Sequence, residues 1–335
     1  MTQFNTGFTL FLSLLVEAIP FLLLGVLFSG LLLLFIDEGK LIAAMPKNPL
    51  LGAFAGSLIG FLFPVCECGN VPVARRLLMQ GVPAPVAIGF LLAAPTINPI
   101  VIWATWTAFR DQPEIVVLRV LCSLAIATII GWVFSAQADL RPMLHQLVAC
   151  SIPAPKLGKK EYSPALLQSG TFMLGGKGTS IRMDTPEFIA AAGSITSKPL
   201  KDRLALFLEN TVQELRELGA VLVLGSAIAA TLQVAVPREI ILSLGQDPIT
   251  SIVAMMVLAA VVSICSTVDS FFALSFASAF TSASLLAFLV FGPMIDLKGI
   301  GLMLSIFKAR AVFYLLALAA QLTFLFTLIY QISLG

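Results

Sequence analysis

The chain has 335 residues, 59% of them hydrophobic and 11% charged, with a formal net charge of +2. Soluble domains carry about 25% charged residues and about 45–50% apolar ones even with glycine counted. The balance excludes a soluble globular domain and leaves no basic block for nucleic acid to read, so the lipid bilayer is the expected surrounding.

Eight apolar runs are long enough to span a hydrocarbon core of about 30 Å, which takes roughly 20 helical residues. They cover residues 8–36, 50–79, 83–109, 115–135, 212–236, 249–276, 280–304 and 311–331. Helices are expected throughout, because barrel strands would alternate polar with apolar residues. The first run lacks a basic leader and exceeds the length of a signal core, so it should remain in the mature chain. The expected fold class is all-α and polytopic, in two halves of about four spans each, eight in total with ten as the alternative.

Residues 1–135 form the first expected membrane half, 136–203 a linker and 204–335 the second half. The linker reads SIPAPKLGKKEYSPALLQSG and then TFMLGGKGTSIRMDTPEF, with Pro, Gly and Ser scattered through it. GGKG lacks the first glycine of a phosphate loop and the Ser or Thr after its Lys, so no nucleotide-binding element is expected. Arg141, Lys156, Lys159, Lys160, Lys177, Arg182, Lys198, Lys201 and Arg203 mark the linker as cytoplasmic. Counting eight crossings outward from it places both termini in the cytoplasm too. Arg75 and Arg76 then agree with the rule, while Lys308 and Arg310 fall on the outer side and oppose it. PLKDRLALFLENTVQELREL, from Pro199, has the spacing of an amphipathic surface helix leading into the fifth span.

An internal repeat organises these spans. VCECGN at 65–70 lies against ICSTVD at 264–269, so that Cys66 meets Cys265 and Asn70 meets Asp269 at an offset of 199. Upstream, EAIPFLLLGVLFSG from Glu17 resembles ELGAVLVLGSAIAA from Glu217, with Gly25 on Gly225. Downstream, FLLAAPTINPI from Phe90 resembles FLVFGPMIDLK from Phe288, with Pro95 on Pro293 and Asn98 on Asp296. Repeated halves and discontinuous helices are characteristic of secondary transporters, whose sites lie near the bilayer midplane at the repeat interface. Breaks are expected at Pro64 to Pro72 and at Pro95 to Pro99, where proline removes backbone donors and glycine relaxes the turn. Such breaks are tolerated in a membrane only where they face protein or a watered cavity. Four crossings per half make the repeats parallel, whereas re-entrant hairpins would leave an odd number and make them inverted.

The stretch PVCECGNVPVARRLLMQGVPAPVAIGFLLAAPTINPIVI resembles the signature of the predicted permease family that includes the bacterial organoarsenical efflux permeases. The resemblance rests on the Cys-rich proline turn, a short basic stretch, a G-x-P turn and a helix broken at P-x-x-N-P. It covers both membrane halves and omits most of the linker. It implies a multi-pass permease of the bacterial plasma (inner) membrane, and some family members are similar to subunits that work beside a second, membrane-anchored protein. This chain departs from the pattern in its second copy, where Ser266 and Thr267 stand in place of Glu67 and Cys68.

The candidate substrate-binding residues are Cys66, Glu67, Cys68, Asn98, Cys265, Thr267, Asp269 and Asp296. Thiols select soft, polarisable partners such as trivalent arsenic, Cu(I) or Zn, so Cys66, Cys68 and Cys265 are the expected ligands of a small soft cargo. A disulfide between residues two apart would close a strained small ring. Carboxylates near the midplane cost at least about 2.5 kcal/mol each on insertion scales. Glu67 and Asp269 are expected to exchange a coupling proton, and Asn98 to serve freed backbone groups or substrate. Cys122 is expected to be a small buried hydrophobe and Cys150 a reduced linker thiol. Arg119 and Arg310, near the ends of spans four and eight, either pair with carboxylates inside the bundle or snorkel to the interface.

The leading function is therefore a proton- or gradient-coupled permease exporting a thiophilic metalloid species or soft metal, with no resident cofactor. Enzymatic function is not expected: the only histidine is His145, in the linker. A membrane thiol oxidoreductase would use C-x-x-C pairs in relay, whereas this chain offers C-x-C and dispersed thiols. A further alternative is the membrane subunit of a two-component permease with another small solute.

Overall fold

The computed structural model describes residues 2–35, 45–46, 48–63, 66–136, 141–145, 148, 172–174, 180–182, 200–235, 247–277 and 279–334. Pro64 and the charges Asp37, Glu38, Lys40 and Lys47 lie outside them, as do Cys150, Lys159 and Lys160 of the linker. Within the linker, Phe172–Leu174 pairs antiparallel with Ser180–Arg182.

The described first half comprises α1 (Thr2–Phe35), α2 (Pro49–Ile59), α3 (Glu67–Met79), α4 (Ala84–Ile97), α5 (Pro99–Ala108) and α6 (Pro113–Ser135). The described second half comprises α7 (Leu200–Ala235), α8 (Pro248–Val262), α9 (Asp269–Leu274), α10 (Ser282–Met294), α11 (Leu297–Met303) and α12 (Ala309–Leu334). This is an all-α polytopic membrane protein. Among the described residues, six helical stretches are long and apolar enough to cross a membrane: Asn5–Leu31, Ala84–Ala108, Pro113–Ser135, Phe207–Val234, Ser282–Met303 and Ala309–Ser333.

Six differs from the eight expected, and the path of the chain explains why. In α2, Gly56 lies beside Val86 and Gly60 beside Ala94, so α2 and α4 run in the same direction. Yet α3 must connect the end of α2 to the start of α4, and Val82 closes that turn by donating to Leu77 O at 3.0 Å. The run 50–79 is thus a hairpin that enters and returns, not a crossing. The run 249–276 behaves alike: Ala259 of α8 lies beside Gly292 of α10, and α9 leads back toward the start of α10. At 1.5 Å of rise per residue, the 11 residues of α2 and 15 of α8 are too short to span about 30 Å.

The breaks are also narrower than expected. Pro72 lies inside α3 and Pro95 inside α4, while the interruptions fall at residues before Cys66 and at Asn98. The amphipathic stretch from Pro199 joins the fifth span without interruption in the 36-residue α7.

The same contacts assign the ends of the helices to faces. Helices α1 and α7 are antiparallel, with Gly7 beside Val234 and Gly30 beside Phe207. Helix α6 ends where α4 starts, Gly131 lying beside Pro85. His145 N donates to Ile306 O at 2.8 Å and Lys308 N to Met143 O at 2.7 Å, tying the turn before α12 to the start of the linker. The described start of the linker and the start of α7 therefore lie at one face, and the start of α1 and the end of α12 at the other, where eight crossings would have put them together. Helices α4 and α10 are buried along almost their whole length and pack on one another, and they form the centre of the core.

Candidate functional site

Two hairpin turns meet at the centre of the bundle. Phe63, at the end of the first hairpin's inward limb, fits edge-on between Phe28 and Phe90, with ring centroids 5.8 and 5.4 Å away. Cys66 follows in extended conformation as the N-cap of α3. Helix α1 lies flush against the first turn of α3, so that a Cβ on Gly25 would collide with the backbone of Gly69. In the second hairpin, Ser263 ends α8 at φ 49°, left-handed backbone that costs a non-glycine residue about 1–3 kcal/mol. Its Oγ accepts from Leu297 N at 3.0 Å, which fixes that turn against the break between α10 and α11.

This arrangement brings Cys66, Cys68 and Cys265 to one crevice between the two turns. The ligand atoms of Cys66, Glu67 and Cys68 all lie within 4.8 Å of one another, and all three residues are buried. The thiols of Cys66, Cys68 and Cys265 are free. Together with Glu17, Ala18, Phe21 and Lys298 they line a narrow crevice. Thr267 Oγ1 lies 3.6 Å from Cys265 Sγ, at the edge of the same turn. Chemically, the thiols of Cys66 and Cys68 and the carboxylate of Glu67 are close enough together to serve as ligands of one small thiophilic centre.

The other expected site residues are placed differently. Asn98 caps α5, its Oδ1 accepting from Val101 N at 2.9 Å and its Nδ2 donating to Ala94 O at 3.4 Å. Asp296 caps α11 in the same way, accepting from Gly299 N at 2.7 Å, while its second carboxylate oxygen is buried without a hydrogen-bond partner. Asp269 does not line the crevice. Arg119 donates to its two oxygens at 3.3 and 2.7 Å, and also to Thr105 Oγ1 at 2.7 Å and Ser270 Oγ at 2.9 Å. That pair ties α9 to α5 and α6, with both side chains almost wholly buried. Arg310 is exposed. Cys122 is buried on α6, away from the crevice lining.

Lys298 is the site residue that sequence reasoning missed. Its Nζ lies 3.9 Å from Glu67 Oε1, and its side chain is 2% exposed. The signal was available: a lone lysine in the apolar run 280–304, where the first half has Ile100. Asn70, aligned with Asp269, is buried with neither side-chain polar atom hydrogen-bonded.

Comparison with known proteins agrees with this membrane architecture. Over 308 residues the chain is 38% identical to UPF0718 protein YcgR of Bacillus subtilis, covering 92% of this chain and 91% of that protein. Over 320 residues it is 31% identical to a Streptococcus mutans protein named putative two-component membrane permease complex subunit, covering 96% of this chain and 93% of that one. No solved structure matches. Residues 3–332 match the family described as predicted permease, and the chain belongs to that family.

Proposed function

We propose that this chain is a secondary transporter of the bacterial plasma membrane that exports a thiophilic metalloid species or soft metal through the Cys-lined crevice. The observation that carries the reading is that Cys66 and Cys265, two thiols 199 positions apart, line one crevice where two hairpin turns converge. In this mechanism Cys66, Cys68 and Cys265 exchange sulfur ligands with the cargo. Glu67 supplies the charge that loads or releases it, by exchange of a proton. Buried interruptions of this kind are expected where they border a transport pathway.

The two halves are read as inverted repeats. Each runs as a long helix, a hairpin, a helix interrupted at a capping Asn or Asp, and a second long helix. The contacts between halves are exchanged in the same sense, α3 packing on α11 and α9 on α5. Three crossings per half then place the linker in the cytoplasm by its Lys and Arg, and both termini outside. This revises the side first expected for the termini. Lys308 and Arg310 now fall on the linker's side, so the two residues that opposed the charge rule support it. Cysteines introduced at Lys159 and Lys160 should resist impermeant maleimide in intact cells, whereas one added at Gly335 should react; the reverse pattern overturns the orientation.

The purified chain in proteoliposomes, tested with a panel of arsenicals and soft metals, should transport at least one of them without another protein. The name of the Streptococcus mutans relative favours a second reading, in which the chain is one subunit of a permease pair. Failure of the whole panel with the chain alone, and transport on adding a membrane-anchored partner, would establish that reading instead.

A further inference from the structure

We propose that Lys298 is a specificity-determining residue, a resident cation that disfavours free soft metal cations and tunes the crevice for an uncharged thiophile. The inference rests on the thiol-site reading above and narrows its cargo. Lys298 reaches the crevice from the first turn of α11, after the cap by Asp296, and α7 presses on its backbone: a Cβ added to Gly225 would sit 3.3 Å from Lys298 Cα. The stem is thus held from behind, and the ammonium points at the turn that carries the thiols. Among the described residues it is the one cation lining the crevice.

A metal ion held by Cys66, Glu67 and Cys68 would have to sit among ligand atoms that lie within 4.8 Å of one another. It would share Glu67 with an ammonium 3.9 Å from that carboxylate. In a buried, weakly screened site a fixed positive charge at this range opposes a second one strongly. The nearby carboxylates do not remove the conflict. Asp296 keeps its charge but is held at the cap of α11 and does not line the crevice, and Glu17, which does, is only half-buried. An uncharged arsenoxide condenses with two thiols, forming two As–S bonds while its oxygen leaves as water with the two thiol protons, so no charge is added and Glu67 and Lys298 can keep their 3.9 Å separation beside it. The first half has Ile100 at the aligned position, so the charge belongs to one side of the crevice only.

The test compares two probes on the full chain in nanodiscs. Cadmium ion is followed by its sulfur-to-metal absorbance, and phenylarsine oxide, an uncharged dithiol reagent, by protection of Cys66 and Cys68 from maleimide. Lys298→Met and Lys298→Gln should bind cadmium at least tenfold more tightly than the parent, with phenylarsine oxide protection changed less than threefold. Lys298→Arg, which keeps the charge, should discriminate like the parent. Equal cadmium affinity in parent and neutral variants, with protection by phenylarsine oxide intact, overturns the role of Lys298 and leaves the thiol site standing. Absence of protection in the parent overturns the thiol site and this inference with it. Should both neutral variants fail to fold, the parent decides alone: formation of the cadmium band at concentrations where phenylarsine oxide does not protect contradicts the proposal.

Discussion

Two buried charge clusters occupy aligned turns of the molecule and are built in opposite ways. Around Asp269, Arg119 reaches both carboxylate oxygens and two hydroxyls, so the charges are closely paired across three helices. Around Glu67, the nearest cation stands at 3.9 Å, one carboxylate oxygen has no hydrogen-bond partner, and three thiols crowd the same space. A well-satisfied buried ion pair rigidifies, whereas a poorly satisfied one keeps bonding capacity in reserve. The first cluster therefore acts as a staple between hairpin and bundle, and the second is the site proposed for exchange of cargo. The sequence treats Asp269 and Glu67 as equivalent candidates, and only their surroundings separate them.

The comparison breaks most visibly at the staple. Arg119→Met should cost about 3–5 kcal/mol, the usual cost of leaving a buried charge without its partner, seen as a fall in the thermal unfolding midpoint in detergent. Replacing Asp269 by Leu in the same chain should recover part of the loss, since the stranded charge is then gone. An Arg119→Met chain as stable as the parent would remove the distinction between the clusters. Next in size is the close approach behind the thiol turn. Gly25→Ala should cost about 1–3 kcal/mol because its methyl meets the backbone of Gly69 rather than a side chain that can move. Gly225→Ala, whose Cβ would lie 3.3 Å from Lys298, should cost less; the opposite order in unfolding midpoints would contradict the packing described for the two turns.

Glu67→Gln sharpens the contrast by function. It should destabilise less than Arg119→Met, because Lys298 stands 3.9 Å from Glu67 whereas Arg119 approaches Asp269 to 2.7 Å. Transport should fall and lose its dependence on pH, since Gln cannot ionise. A Glu67→Gln chain with the parent's pH profile would remove Glu67 from the exchange step. The smallest effect is expected at Cys122→Ser, within about 1 kcal/mol in stability, because a helical serine can return its hydroxyl to a carbonyl one turn earlier.

Much of this organisation was legible in the residues. The eight apolar runs marked the helical stretches, and VCECGN set against ICSTVD pointed to Cys66 and Cys265, which line one crevice. The direction of the runs was not legible, because hydropathy registers burial in lipid and carries no sign for a chain that turns back; the turn at Ser263 needs only one left-handed residue to do so. Prolines were over-read as breaks, since Pro72 and Pro95 are accommodated within buried helices while the capping residues Asn98 and Asp296 mark the true interruptions. The pairing of Arg119 with Asp269 joins residues 150 apart in different halves, which no local pattern encodes. Lys298 has no polar counterpart in the first half, where Ile100 aligns with it, so the repeat pattern that marks Asp296 gives no signal for the base two positions later.

The central claim is that cargo passes through sulfur ligands at the meeting of the two hairpins, and transport by thiol variants in proteoliposomes tests it most directly. Serine nearly preserves the volume of cysteine and removes its affinity for soft partners. For whichever thiophilic probe the parent transports, Cys66→Ser and Cys68→Ser should each reduce the initial rate at least tenfold while folding normally. Cys122→Ser should match the parent. Rates for Cys66→Ser and Cys68→Ser equal to that of the parent would mean that the thiols only pack, and the account of the crevice as a transport site would be wrong.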